Sequence, residues 1–111
     1  MPDADQGRAA VTRRACRVDA NHGAIRDALR DAGAGVIDGS KFSEGFSDLV
    51  CFWRGETILI EVKDGTKPPS ARKLKPKQEI VHALALSHGV TIHVVTSIDE
   101  ALAVLGARTT T

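Results

Sequence analysis

The apolar residues of this chain come in short runs, and the spacing within each run changes along the sequence. In "DANHGAIRDALRDAGAG", Ile25, Ala28, Leu29 and Ala32 recur at the spacing of one helix face. Asp19 or Asn21 can cap its start by accepting free N–H groups of the first turn, and Gly33 and Gly35 can stop it. "AGVID" reads as a short strand and "GSKFSEG" as a loop. "SDLVCFW" and "ETILIEVK" are rich in β-branched and aromatic residues and read as two strands joined at Arg54 and Gly55. "DGTKPPSARKLKP" carries an Asp-Gly pair and adjacent prolines, which predicts an exposed, irregular loop. "PKQEIVHALALSHG" predicts a second helix, with Pro76 in its first turn, an apolar face of Ile80, Val81, Leu84 and Ala85, and Gly89 at its end. "VTIHVV" is a strand. "SIDEALAVLG" is a third helix, with Ser97 and Glu100 in capping-box spacing and Gly106 as its stop.

The predicted order is αβββαβα. Helices and strands alternate in the second half, which favours a crossover and a central mixed sheet with helices on both faces. Residues 1–18 are polar and Arg-rich without a period and read as a flexible basic arm; residues 19–106 form the domain, and residues 107–111 a tail.

Composition narrows the class. A chain of 111 residues supports one modest core. Its 42% apolar and 26% charged residues are ordinary for a globular protein. No apolar run approaches the ~20 residues that span a bilayer, and the N-terminus lacks a secretory core, so the expectation is a cytoplasmic protein with no membrane partner. Cys16 and Cys51 make neither a metal spacing nor a disulfide framework, and His22, His82, His88 and His93 form no ligand pair. Net charge is only +1, but its distribution is uneven. Lys67, Arg72, Lys73, Lys75 and Lys77 crowd one stretch that no acid interrupts, a footprint for a polyanion or, more plainly, a solvated loop.

Candidate chemistry lies in the central strand pair. With Arg54 and Gly55 as a two-residue turn, Trp53 faces Glu56, and the same register sets Asp48 across from Glu61. Lys63, two residues on, shares that face. Arginine suits a primed turn poorly, so a bulged or longer loop around Gly55 is the alternative register. Two close carboxylates raise each other's pKa unless a cation joins them, and magnesium takes one or two carboxylates while keeping waters and holding phosphates. A neighbouring lysine offsets phosphoryl charge or orients a water. The plainer reading is a salt-bridge cluster at a strand end. The apolar "ILI" before Glu61 weighs against it, because that strand should be buried and a buried acid needs a partner.

These residues resemble the PD-(D/E)XK nuclease superfamily, whose pattern is an acid at the start of one core strand and acid–x–lysine on the next: here Asp48, then Glu61-Val62-Lys63. "GFSDLV", "EVKDGTKPPSARKLKPKQ" and "GVTIHVVTSIDEAL" are similar, more narrowly, to the VRR-NUC type, which includes small phage and bacterial nucleases like Holliday junction resolvases. The resemblance implies a single restriction-endonuclease-like α/β domain and a metal-dependent endonuclease acting on branched or junction DNA. It implies that Asp48, Glu61 and the Val62 carbonyl bind Mg2+ or Mn2+, that Lys63 is catalytic and that Gln78 helps arrange the site. The basic loop, Lys67 to Lys77, would meet DNA phosphates, and a symmetric homodimer would supply two sites to a two-fold junction. Ser47 stands where the family places proline. The first helix offers Asn21 and His22 in place of a glutamate, which favours weak magnesium binding or a manganese preference. The alternative is a non-catalytic DNA-binding module on the same fold. Trp53 and Phe42 can stack on bases, although a core role suits Trp53 better. His82 lies one turn after Gln78 on the same face, a position more often structural than functional.

Overall fold

The computed structural model describes residues 21–39 and 41–108. The basic arm expected over residues 1–18, Cys16 and Asp19 lie outside them. The elements are α1 (His22–Asp31), β1 (Gly35–Asp38), β2 (Leu49–Trp53), β3 (Glu56–Val62), a 3-10 turn (Pro69–Arg72), α2 (Pro76–Ser87), β4 (Ile92–Val95) and α3 (Ile98–Arg108). The predicted order αβββαβα is observed. Among the described residues the strands form a mixed sheet in the order β1-β2-β3-β4. β1, β2 and β3 pair antiparallel, and β4 lies parallel to β3 after the α2 crossover.

The β2–β3 register follows from the turn. Trp53 pairs with Glu56 and Leu49 with Ile60, so Asp48 and Glu61 come next on opposite strands. Both turn residues have positive φ, Arg54 at 49° and Gly55 at 83°, as a primed two-residue turn requires. Left-handed backbone at a non-glycine residue costs about 1–3 kcal/mol. The Arg54 guanidinium lies 5.0 Å from the centre of the Trp53 ring, a cation–π contact that offsets part of that cost.

Alternation sorts the sheet into two unlike faces. Leu49, Cys51, Ile58, Ile60 and Val62 point to one side and pack with Ile25 and Leu29 of α1 and with Ala101 and Leu105 of α3. Trp53 joins the rim of this core, in keeping with its sequence context. Cys51 is a free, buried thiol whose pKa burial pushes up to about 11. The opposite face carries Glu61 and Lys63 and is only partly covered. Ile37 and Phe52 remain exposed there, and α2 buries none of its residues fully.

α2 departs from the sequence expectation in its rotation. Ile80 is 67% exposed and Leu84 61% exposed, while Gln78, Val81, His82 and Ala85 are the half-buried row. The helix thus turns two polar side chains inward and leaves the larger apolar ones outside. The reason is on β3: the strand presents a buried carboxylate and a buried ammonium to this helix, and those groups need polar partners. The loop before α2 is also more regular than expected, because Pro69 opens a 3-10 turn at a position that needs no N–H. Gly33 and Gly89 end their helices in the left-handed region as predicted, but Gly106 lies within α3. Among the described residues no helix is long and apolar enough to cross a membrane.

Candidate active site

β3 delivers the chemistry at its C-terminal end. Three aliphatic residues, Ile58, Leu59 and Ile60, lead into Glu61, which is 0% exposed. Lys63 follows at 7% exposure. Its backbone N–H donates to the Val95 carbonyl at 2.9 Å, which prolongs the strand contact by one residue. On the antiparallel neighbour, Asp48 is half-buried, and its Oδ2 accepts the Val62 N–H at 2.8 Å. This bond ties the acid on one strand to the backbone between the acid and the lysine on the other. Asp48, remote in sequence, is therefore brought to the consecutive residues Glu61, Val62 and Lys63 at one sheet end.

α2 closes the group from above. Gln78 Nε2 donates to Glu61 Oε2 at 2.9 Å, and Lys63 Nζ donates to Gln78 Oε1 at 2.9 Å. The same Gln78 oxygen accepts the Lys75 backbone N–H at 2.8 Å, one half of a helix-capping arrangement. Gln78 is thus fixed in orientation, with its oxygen toward the lysine and its amide toward the carboxylate. His82, one turn on, places Nε2 3.3 Å from Glu61 Oε1. Burial lowers the His82 pKa below its ordinary value; the Lys63 ammonium acts in the same sense and Asp48 opposes it. A neutral imidazole facing a carboxylate carries its proton on Nε2 and donates. The sequence signal for His82 is only its spacing of four from Gln78.

Asn21 sits at the N-cap position of α1 yet makes no side-chain cap bond. Its Nδ2 donates instead to the Lys63 carbonyl at 3.1 Å and the Thr96 carbonyl at 2.9 Å. It joins the ends of β3 and β4 just where both chains leave the sheet. His22, next to it, is 4% exposed, with Nε2 3.7 Å from Asp38 Oδ2 at the end of β1.

The loop preceding Asp48 packs on the first turn of α2. Gly45 has φ 87°, and a Cβ there would fall 2.6 Å from the Lys77 carbonyl oxygen, so only glycine fits. Glu44 is exposed and pairs with Lys77, Nζ to Oε1 at 2.6 Å, so it is engaged with the loop's last lysine. Of the other basic residues, Lys67, Lys73 and Lys75 are exposed and Arg72 is half-buried. The loop leaves β3 through a turn in which Asp64 Oδ1 accepts from Thr66 N–H at 2.9 Å and Thr66 Oγ1 at 2.7 Å. Those bonds lower the Asp64 pKa. Phe42 is exposed beside Phe46, with ring centroids 6.1 Å apart.

Comparison with known proteins bears on the fold. No family model matches this sequence. No curated protein matches it. A solved structure described as a VRR_NUC domain aligns with a TM-score of 0.59 at 22% identity, covering 78% of this chain and 95% of its own. The α/β architecture of this chain is the fold of a VRR_NUC domain.

Proposed function

We propose that this chain, with the fold of a VRR_NUC domain, is a metal-dependent endonuclease that hydrolyses phosphodiesters in branched or structured DNA. The observation that carries this reading is Glu61, a fully buried acid at the end of an apolar strand, with Asp48 on the neighbouring strand and Lys63 tethered beside it. Gln78 bonds both groups, its oxygen accepting from Lys63 and its amide donating to Glu61, and so holds the acid and the base in fixed orientations.

The donor set suits a hard cation. Asp48, Glu61 and the Val62 carbonyl would hold Mg2+ or Mn2+, and all three offer oxygen. Among the described residues no group of three or more His, Cys, Asp or Glu side chains could hold a metal ion by itself. Two carboxylates and a carbonyl would leave the remaining positions of such an ion to waters and phosphate oxygens. When bound, such an ion supplies an activated water and charge stabilisation for phosphate. The chain's own groups do the rest. Lys63 offsets negative charge developing on a phosphoryl oxygen, and Gln78 holds its ammonium in place. Asn21 fixes the backbone on which Lys63 sits. The exposed lysines of the loop contact phosphates, which positions DNA by shape and not by base sequence.

We also propose that the chain works as a homodimer, which would bring two such sites to one branched DNA. The uncovered Ile80 and Leu84 on α2 support a protein partner on that face.

Lys63→Ala separates catalysis from binding. The variant is expected to bind a labelled four-way junction with affinity close to wild type and to lose cleavage. Cleavage at the wild-type rate would remove Lys63 from the mechanism. A wild-type protein that binds the junction without cutting it in Mg2+ or Mn2+ would favour the DNA-binding module.

A further inference from the structure

We infer that His82 is a positioning residue for Glu61 and sets the affinity of that carboxylate for a divalent cation. This rests on the cation reading above.

The geometry begins with the two oxygens of Glu61. Gln78 holds Oε2 at 2.9 Å, and His82 stands 3.3 Å from Oε1. Both come from one helix face, one turn apart. Gln78 is anchored through its own oxygen by Lys63 and by the Lys75 backbone, so it is a fixed point. With one fixed point the carboxylate can pivot; with a second on the other oxygen its plane is defined.

The rotation of α2 points the same way. Burial of apolar side chains alone would turn Ile80 and Leu84 toward the sheet. The helix leaves them 67% and 61% exposed and turns His82 inward instead. The side chain of His82 is 14% exposed, against 0% for that of Glu61. That rotation gives the buried carboxylate a partner at each oxygen and leaves the two aliphatics on the outer face, where the protein partner is proposed. Partners behind metal ligands alter metal affinity by about 10–100-fold when removed.

The test is calorimetric titration of Mn2+ into DNA-free protein for wild type, His82→Ala, His82→Leu and His82→Gln, with circular dichroism to establish folding. Leu keeps bulk without a donor; Gln keeps a donor. Mn2+ affinity is expected to fall about tenfold or more in the Ala and Leu variants and to stay near wild type in Gln. In cleavage assays the Mn2+ concentration for half-maximal rate should rise by the same factor, while the rate at saturating Mn2+ falls much less. Wild-type affinity in folded Ala or Leu variants overturns the role of His82 and leaves the cation reading standing. A wild-type protein that takes up no Mn2+ overturns the cation reading, and this inference with it.

Discussion

Asn21 offers a test in which two physical effects have opposite signs. As an N-cap, asparagine and aspartate are nearly equivalent, and a carboxylate at a helix N-terminus gains about 0.3–1 kcal/mol from the helix dipole. On that view Asn21→Asp is neutral or stabilising. In the structure the side chain makes no cap bond, and its amide donates to the Lys63 and Thr96 carbonyls at 3.1 and 2.9 Å. Aspartate has no donor, so both bonds go, at about 1 kcal/mol each. A carboxylate oxygen also comes to face two carbonyl oxygens. Subtracting the dipole gain leaves a loss of about 1–2 kcal/mol or somewhat more. At about 4–8 °C per kcal/mol for a domain of this size, Tm should fall by roughly 5–15 °C. Urea and thermal unfolding of wild type, Asn21→Asp and Asn21→Ala measure it, and both variants should be destabilised. An Asn21→Asp protein as stable as wild type would refute the bridge between β3 and β4 and restore the simple cap.

Three further outcomes follow from burial and exposure. The Cys51 thiol, held to about 11, should resist alkylation at pH 8 in the folded protein and react once urea unfolds it. Its raised pKa also stabilises the fold fully below about pH 9, and that contribution is lost as pH rises through about 11; a Cys51→Ser comparison of stability against pH checks the sign. Leu84→Glu should leave the monomer's unfolding midpoint unchanged, because Leu84 is exposed, and should abolish self-association in sedimentation. A dimer that survives the charge would place the interface elsewhere.

The element order is legible because the apolar spacing changes sharply from helix to strand and because glycine marks the turns. The β2–β3 register is legible too: two residues at the turn fix it, and the apolar alternation allows no one-residue slip. Counting outward from that turn is enough to bring Asp48 opposite Glu61. The facing of α2 is not legible. Ile80 and Leu84 make the larger apolar stripe, and reading it as the buried face assumes an apolar surface beneath. What lies beneath is Glu61 and Lys63, so polar complementarity determines the rotation. His82 is undervalued by spacing alone for the same reason. The role of Asn21 is hidden because its acceptors, at residues 63 and 96, are remote in sequence, whereas capping is a local signal. Gly106 continues α3 because its neighbours hold the helix and nothing there requires positive φ.

The central claim is that Glu61 belongs to a phosphodiester-cleaving centre. It is tested most directly by incubating labelled four-way junction, flap, duplex and single-stranded DNA with wild type and with Glu61→Ala, in Mg2+, Mn2+ or EDTA. Cutting of the branched substrates by wild type with either metal, absent in EDTA and absent in a folded Glu61→Ala protein, is the predicted result. Cutting that persists in Glu61→Ala, or no cutting of any substrate by wild type with either metal, would contradict it.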